Sequence, residues 1–337
     1  MTNLDQHTSM DRVTDLIRPR SAGSVDEATE AAEAAARAAG VRIHEISDLD
    51  GLDAVYRLYD TIWRPDPTNP PVTTELLRAL TKAGNYLAGA FDDTGLVGAC
   101  VGFFGMSGPT PASLGSSPDS APQASLDRHP DSAPRASLEV HSHIAGVVPR
   151  ALGRSVGFAL KLHQRAWTLR RGVTVMEWTF DPLVRRNAYF NLVKLGALPA
   201  EYLPNFYGGM NDTINAGDES DRLLARWALD TRDVAAAALG KTSPRDAEAE
   251  RARGAVVALD RSDTGGPAAG SLGGDTLLVA VPPDIESLRT TDPAAARDWR
   301  VAVRETLGAA MSGGARVVGF DRAGWYVLSP QWTGEVQ

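Results

Sequence analysis

Three features of the sequence predict a mixed α/β (α+β) fold. From residue 41 onward, short apolar runs of strand character alternate with segments whose apolar residues recur at helical spacing. Gly and Pro punctuate the ends of those segments. The chain has 337 residues, 43% of them hydrophobic, enough for a sizeable core. At roughly 100–200 residues per domain, this length suggests two domains, or one with large additions.

Residues 1–24 are polar and aperiodic and read as a mobile tail. Residues 25–39 are strong helix formers stopped by Gly40. Their apolar face is mostly Ala, so the helix is expected to pack loosely on the surface. VRIHEI (41–46) reads as a strand, and 49–63 as a helix with Leu52, Val55, Tyr56, Tyr59 and Ile62 near helical spacing. A Pro-rich loop, Arg64 to Pro71, precedes a helix capped at Thr73-Thr74. Two strands then flank a hairpin turn at Thr94-Gly95.

Residues 109–137 break the pattern. PDSAPQASLDRH (118–129) is followed at once by PDSAPRASLEVH, identical at nine of twelve positions. A unit with one Leu and two prolines cannot bury a face, so this is a low-complexity insertion grown by duplication. His129 is then an echo of His141. A strand over 138–148, a turn, a helix over 156–172, a strand over 173–180 and a helix over 184–195 follow. Strands near 197–207 and 222–230 close this unit, and 231–253 is a helical or linker-like stretch. The predicted division is therefore 1–40 as an extension, 41–230 as the main domain, 231–253 as a linker and 254–337 as a small α+β unit.

Composition narrows the function classes. No window approaches the ~18 apolar residues of a membrane span, and the first residues lack the apolar core of a secretory signal. Cys100 is the only cysteine, which excludes a disulfide framework and a cysteine-rich zinc site, and suits a cytoplasmic location. The net charge is −8 with no long basic run, so neither nucleic acid nor an anionic membrane is expected as a partner.

The element order over 41–230 resembles the GNAT (acyl-CoA N-acyltransferase) superfamily. The segments that carry the resemblance are GNYLAGAFDDTGLVGACVGFFG (84–105), HSHIAGVVP (141–149), GRSVGFALKLHQRAWTLRRG (153–172), WTFDPLVRRNAYFNLVKLGA (178–197) and YLPNFYG (202–208); VAVPPDIESL extends it into the C-terminal part. The fold so implied is a central mixed sheet flanked by helices, with a C-terminal α+β extension. The cosubstrate implied is acetyl-CoA or another acyl-CoA, with no metal. The acceptor implied is a small amine or amino acid, with succinyl an alternative to acetyl; a homodimer is compatible with the resemblance.

A helix starting near Ser155 points free N–H groups and a positive dipole end at the preceding turn, where a pyrophosphate can sit. The residues aligned with the family's phosphate turn are Leu152, Gly153, Arg154, Ser155, Val156 and Gly157. Leu152 replaces the usual Arg or Gln and Ser155 the middle glycine, departures expected to weaken binding by roughly 10²-fold. The resemblance gives backbone amides at Gly146, Val147 and Val148 the pantetheine and thioester to orient, and Asn187 a bond to the pantetheine arm.

Strand alternation places Glu139, His141, His143, Ala145 and Val147 on one face. His141 and His143 are the candidate general bases, since an ammonium acceptor must lose a proton before attack and an imidazole near pKa 6.5 suits that task. A single hydrogen-bonded core histidine, or a pair of metal ligands, is the alternative. The family's thiolate acid, a Tyr, aligns with Leu192; Tyr189, nearly one turn earlier, is the substitute candidate, with aromatic packing as the plainer role. Glu177, Asp181 and Arg186 are the candidate substrate-binding residues. The competing reading of the whole is a catalytically weak module that binds acyl-CoA or a protein.

Overall fold

The fold was obtained as a computed structural model, which describes residues 22–63, 70–107, 137–208 and 218–329. Most of the 1–24 tail, most of the Pro-rich loop and the duplicated insertion up to residue 136 lie outside the described residues. In chain order the elements of the first sheet and its cover are α1 (Ala22–Ala39), β1 (Arg42–Glu45), α2 (Leu49–Trp63), α3 (Thr74–Lys82), β2 (Tyr86–Asp92), β3 (Gly95–Ser107), β4 (Ser137–Val147), α4 (Val156–Arg170), β5 (Val175–Phe180), α5 (Arg185–Ala188, continuing as a π turn over Tyr189–Lys194), β6 (Leu198–Leu203) and β7 (Arg222–Ala228). The sheet runs β1-β2-β3-β4-β5-β7-β6. Only β4 and β5 pair in parallel; the other neighbours are antiparallel.

α2 and α3 cover one face of β2–β4, around Leu52, Val55, Leu77, Leu87 and Val101. α4 lies on the other face and α1 lies over α4. The loose surface packing expected of α1 is not what the fold shows. Ala28, Ala31 and Ala32 are buried against α4, and Arg165 of α4 donates to both carboxylate oxygens of Glu27 (3.1 and 2.8 Å). Short alanine side chains let two helix backbones approach closely, so a shallow face serves helix-on-helix packing well.

Local chemistry sets the boundaries. Thr73 caps α3 by accepting from Leu76 N (3.2 Å). The β2–β3 turn falls on Asp93-Thr94, one residue earlier than the Thr94-Gly95 pattern, because Gly95 (φ +108°) already pairs with Asp92. Thr231 and Asp246 cap two short helices, α6 (Arg232–Ala238) and α7 (Ala247–Ala252).

A second sheet follows: β8 (Val256–Arg261), β9 (Pro267–Ala269), β10 (Leu277–Ala280), β11 (Arg316–Asp321) and β12 (Trp325–Ser329), in the order β11-β12-β10-β8-β9. Between β10 and β11 run α8 (Ile285–Thr291) and α9 (Pro293–Val303), the latter extended by a π turn over Arg304–Gly308. One apolar core passes through both sheets without a break. A buried ionic joint ties them as well. Arg300 donates to both oxygens of Asp181 (2.9 and 2.9 Å) and to Asp218 (2.8 Å), and Arg289 reaches the same two carboxylates (2.5 and 3.2 Å). No helix among the described residues is long and apolar enough to cross a membrane.

Candidate functional site

β4 and β5 share two register pairs, Val140↔Met176 and His141↔Glu177. Beyond them β4 continues through Ser142–Val147 and β5 through Trp178–Phe180 without pairing to each other, which opens a wedge-shaped gap in the sheet. The β3–β4 ladder steps from Val101↔Ile144 to Gly102↔Ser142, so His143 is an extra residue, a β-bulge.

That bulge corrects the simple alternation. Val140 and Ser142 face α4, where Ser142 Oγ donates to Gln164 Oε1 (2.9 Å). Glu139, His141 and His143 face the opposite side, and the bulge at His143 inverts the alternation for the residues after it. Both imidazoles flank Phe103, at ring-centroid distances of 5.1 and 5.8 Å, and lie 6.2 Å from each other. Val147 has turned to the α4 side: its Cγ2 lies 3.3 Å, and Leu160 Cδ1 3.2 Å, from where a Cβ on Gly98 would be.

On the histidine side is a depression of about 230 Å³, lined by Phe103, Met106, Glu139, His141 and Glu177 among others. Arg226 of β7 bridges its two carboxylates, donating to Glu139 Oε1 (3.0 Å) and to Glu177. One guanidinium thus serves two acids. Burial, and then the neighbouring Glu139 charge, push the Glu177 carboxyl above the ordinary range. Burial lowers His141 to about 4, helped by His143 and by Lys161, and burial also lowers His143. Both histidines are therefore neutral at neutral pH, ready to accept a proton but weaker bases than the free side chain.

Lys161 is buried on the other side of β4. Its Nζ donates to Ser142 Oγ (2.9 Å) and Gln164 Oε1 (3.2 Å) and lies 3.7 Å from the centroid of the Trp178 ring. Burial pulls this amine down to about 8. The sequence drew no attention to it, because a helix with polar and charged residues on most of its sides, yet buried almost all round, hides which of them are covered. Arg226 and Phe103 were missed too; on alternating strands neither type announces a site.

The loop after β4 leads into α4. Gly153 and Ser155 both take left-handed conformations (φ +80° and +63°), and no side chain caps α4. The first N–H groups of this helix are thus left to a ligand or to water. Leu152 is 66% exposed. Arg154 donates to Asp92 (2.8 Å), and Arg150 to Thr94 Oγ1 (2.5 Å), fastening the loop to the β2–β3 turn. Val156 is buried and Gly157 lies beside Val147.

Of the three backbone amides singled out, Val148 N–H is committed to Val97 O (2.9 Å). An antiparallel ladder alternates, so the Gly146 N–H also points to β3, while those of Ala145 and Val147 point to the gap. Gly146 itself is required by packing: a Cβ there would come within 2.6 Å of the Trp63 ring.

Asp181 does not reach the gap. It is buried in the joint with Arg289 and Arg300, whose charges hold its carboxyl far below the usual range despite burial. Arg186 is engaged by Glu286 at the start of α8 (Nη2 to Oε1, 2.7 Å), so it braces the second unit. Tyr189 packs on the main core, its ring centroid 5.9 Å from the Arg322 guanidinium carbon. Asn187 is half-buried on α5. Among the described residues no group of three or more His, Cys, Asp or Glu is placed to hold a metal ion.

No family model matches the sequence, and no curated protein does. Among solved structures, the chain is similar to the ribosomal-protein-S18-alanine N-acetyltransferase of Escherichia coli (13% identity, TM-score 0.37, covering 57% of this chain and 95% of that one). It is similar also to Arabidopsis thaliana NAA60 in complex with acetyl-CoA (14%, 0.41, 56% and 97%). A third is an N-acetyltransferase from Staphylococcus aureus Mu50 (14%, 0.39, 56% and 98%).

Proposed function

We propose that the protein is an acyl-CoA-dependent N-acyltransferase that moves an acetyl or succinyl group to the amino group of a small amine or amino acid. The observation that carries this reading is the β4–β5 gap, with neutral imidazoles on one side of its apex and an uncapped helix terminus at its mouth. Acyl-CoA fits these residues. The first N–H groups of α4 take the pyrophosphate, and the Ala145 and Val147 amides, aimed into the gap, orient the pantetheine and polarise the thioester carbonyl.

The acceptor occupies the depression beside Phe103, its ammonium drawn by Glu139 and Glu177, whose joint charge Arg226 only half balances. His141, with His143, removes the proton, directly or through one water, and the free amine attacks the thioester in a ternary complex. Residues 41–230 form the transferase unit in this reading. The 254–337 unit holds the end of β5 in place through Asp181, and the protein works in the cytoplasm.

Calorimetry with acetyl-CoA and succinyl-CoA, followed by a thiol-release screen over amines and amino acids, tests the proposal. Binding of a donor and release of CoA with at least one acceptor is the expected result. No binding of either donor at millimolar concentration rejects it. Donor binding without turnover would favour a silent acyl-CoA-binding module, a reading that the exposed Leu152 and the strained Ser155 also favour.

A further inference from the structure

Lys161 is a buried cation that no carboxylate contacts among the described residues. The residues facing it are Cys100 on β3, Ser142 on β4, Met176 and Trp178 on β5, and Trp227 on β7. Only Cys100 of these titrates, and burial keeps it a neutral thiol. Two N–H bonds of the ammonium go to Ser142 and Gln164. What remains within reach is a thioether at 3.8 Å and the face of an indole. Gln164 Nε2, in the same cluster, has no hydrogen-bond partner among the described residues. Burying a charge on such terms is costly, and folds tolerate it mainly where the charge has work to do.

Its position says what that work is. The pairing of β4 with β5 ends at His141↔Glu177, so Ser142 and Trp178 are the first residues past the apex of the gap. Both touch Lys161 Nζ. The ammonium therefore stands at the apex, on the α4 side, while the histidines stand on the other.

Resting on the acyltransferase reading, we propose that Lys161 is the acid that meets the departing CoA thiolate. As the amine nitrogen bonds to the acyl carbon, the C–S bond breaks and its electron pair stays on sulfur. The sulfur takes a proton from the Lys161 ammonium. The proton lost by the amine passes to His141 or His143 and from there to solvent, and solvent returns one to Lys161, so the sum is amine plus thioester giving amide plus thiol. A cation fixed before the reaction stabilises this charge without reorganising, which water cannot do. Because burial brings Lys161 to about 8, its acidity matches that of the thiol it protonates.

The test uses the binary complex of the full chain with CoA and needs no acceptor. The thiolate fraction of bound CoA is followed by its ultraviolet absorbance as pH is raised. Near pH 7.5 a free thiol of pKa ~8.5 is about one-tenth thiolate, and the bound thiol is expected to be about fivefold richer, close to half thiolate. Lys161→Met should abolish that enrichment while CoA affinity by calorimetry stays within about threefold, and should lower kcat about 100-fold with KM for acyl-CoA unchanged. No enrichment in the wild type overturns the proposal, whether or not the variant folds, as does equal enrichment in Lys161→Met. Failure of the wild type to bind CoA at all rejects the acyltransferase reading and this one with it; binding without enrichment rejects this one alone.

Discussion

Two regions of the molecule bury ionised groups, and they treat them in opposite ways. At the joint between the sheets, Asp181 and Asp218 sit among Arg289 and Arg300 with bonds of 2.5–3.3 Å, each charge answered by another. At the β4–β5 gap, Lys161 meets only neutral acceptors and an indole, and two glutamates share one guanidinium. A charge-balanced network holds parts together, even with Asp218 Oδ1 left without a hydrogen-bond partner among the described residues. An unbalanced one has capacity left for a charge that arrives with a substrate or develops during reaction. Fully answered charges therefore mark architecture here, and the unanswered ones mark the site.

Stability measurements offer the strongest way to break this contrast. Asp181→Ala strips two buried guanidiniums of a shared anion and should cost about 3–5 kcal/mol in urea unfolding. Lys161→Met removes a charge that nothing balances and should leave stability unchanged or raise it by ~1 kcal/mol or more. Equal losses from both would mean that Lys161 is as structural as Asp181. In catalysis the order reverses: His141→Ala with His143→Ala should lower kcat by about 10²-fold or more near pH 7 with little change in the unfolding midpoint. Full activity in that double variant would move the base elsewhere.

Acid should separate the regions next. The folded pKa of His141, and of His163 bonded to Tyr86, is lowered to about 4, below the ~6.5 of the unfolded chain. The unfolded state therefore binds protons first. Stability from these groups is complete above about pH 6.5 and declines as pH falls toward 4. Asp181 has a folded pKa below its unfolded value, so its contribution is present above about pH 4 and is lost only in stronger acid. Urea midpoints should thus fall between pH 6.5 and 4.5 in the wild type, and less so in the double histidine variant. A flat profile over that interval would contradict the lowered histidines. The smallest effect is expected at the loop: Ser155→Gly relieves a non-glycine residue at φ +63° and should gain at most ~1 kcal/mol, read as a rise of a few degrees in Tm.

Much of this was legible in the order of residues. The alternation of short strands and helices is written locally, in apolar period and in capping residues such as Thr73, so the elements from β1 to β7 can be placed from the sequence. The His-x-His pair was visible for the same reason, since it rests on neighbours a few residues away, whereas the turn at Ser155 stood out only through the family resemblance. The roles of Asp181, Arg186 and Lys161 were not visible. Asp181 looked like a cleft residue until Arg289 and Arg300, more than a hundred positions later, came to meet it. The bulge at His143 exists only because β3 pairs out of step with β4.

The sequence by itself determined the elements, the α/β class and the residue types available for proton transfer. Tertiary structure alone decided which charges are answered. Hydrogen-bond period and apolar spacing act between near neighbours, whereas desolvation and ion pairing depend on what the finished fold places within a few ångströms.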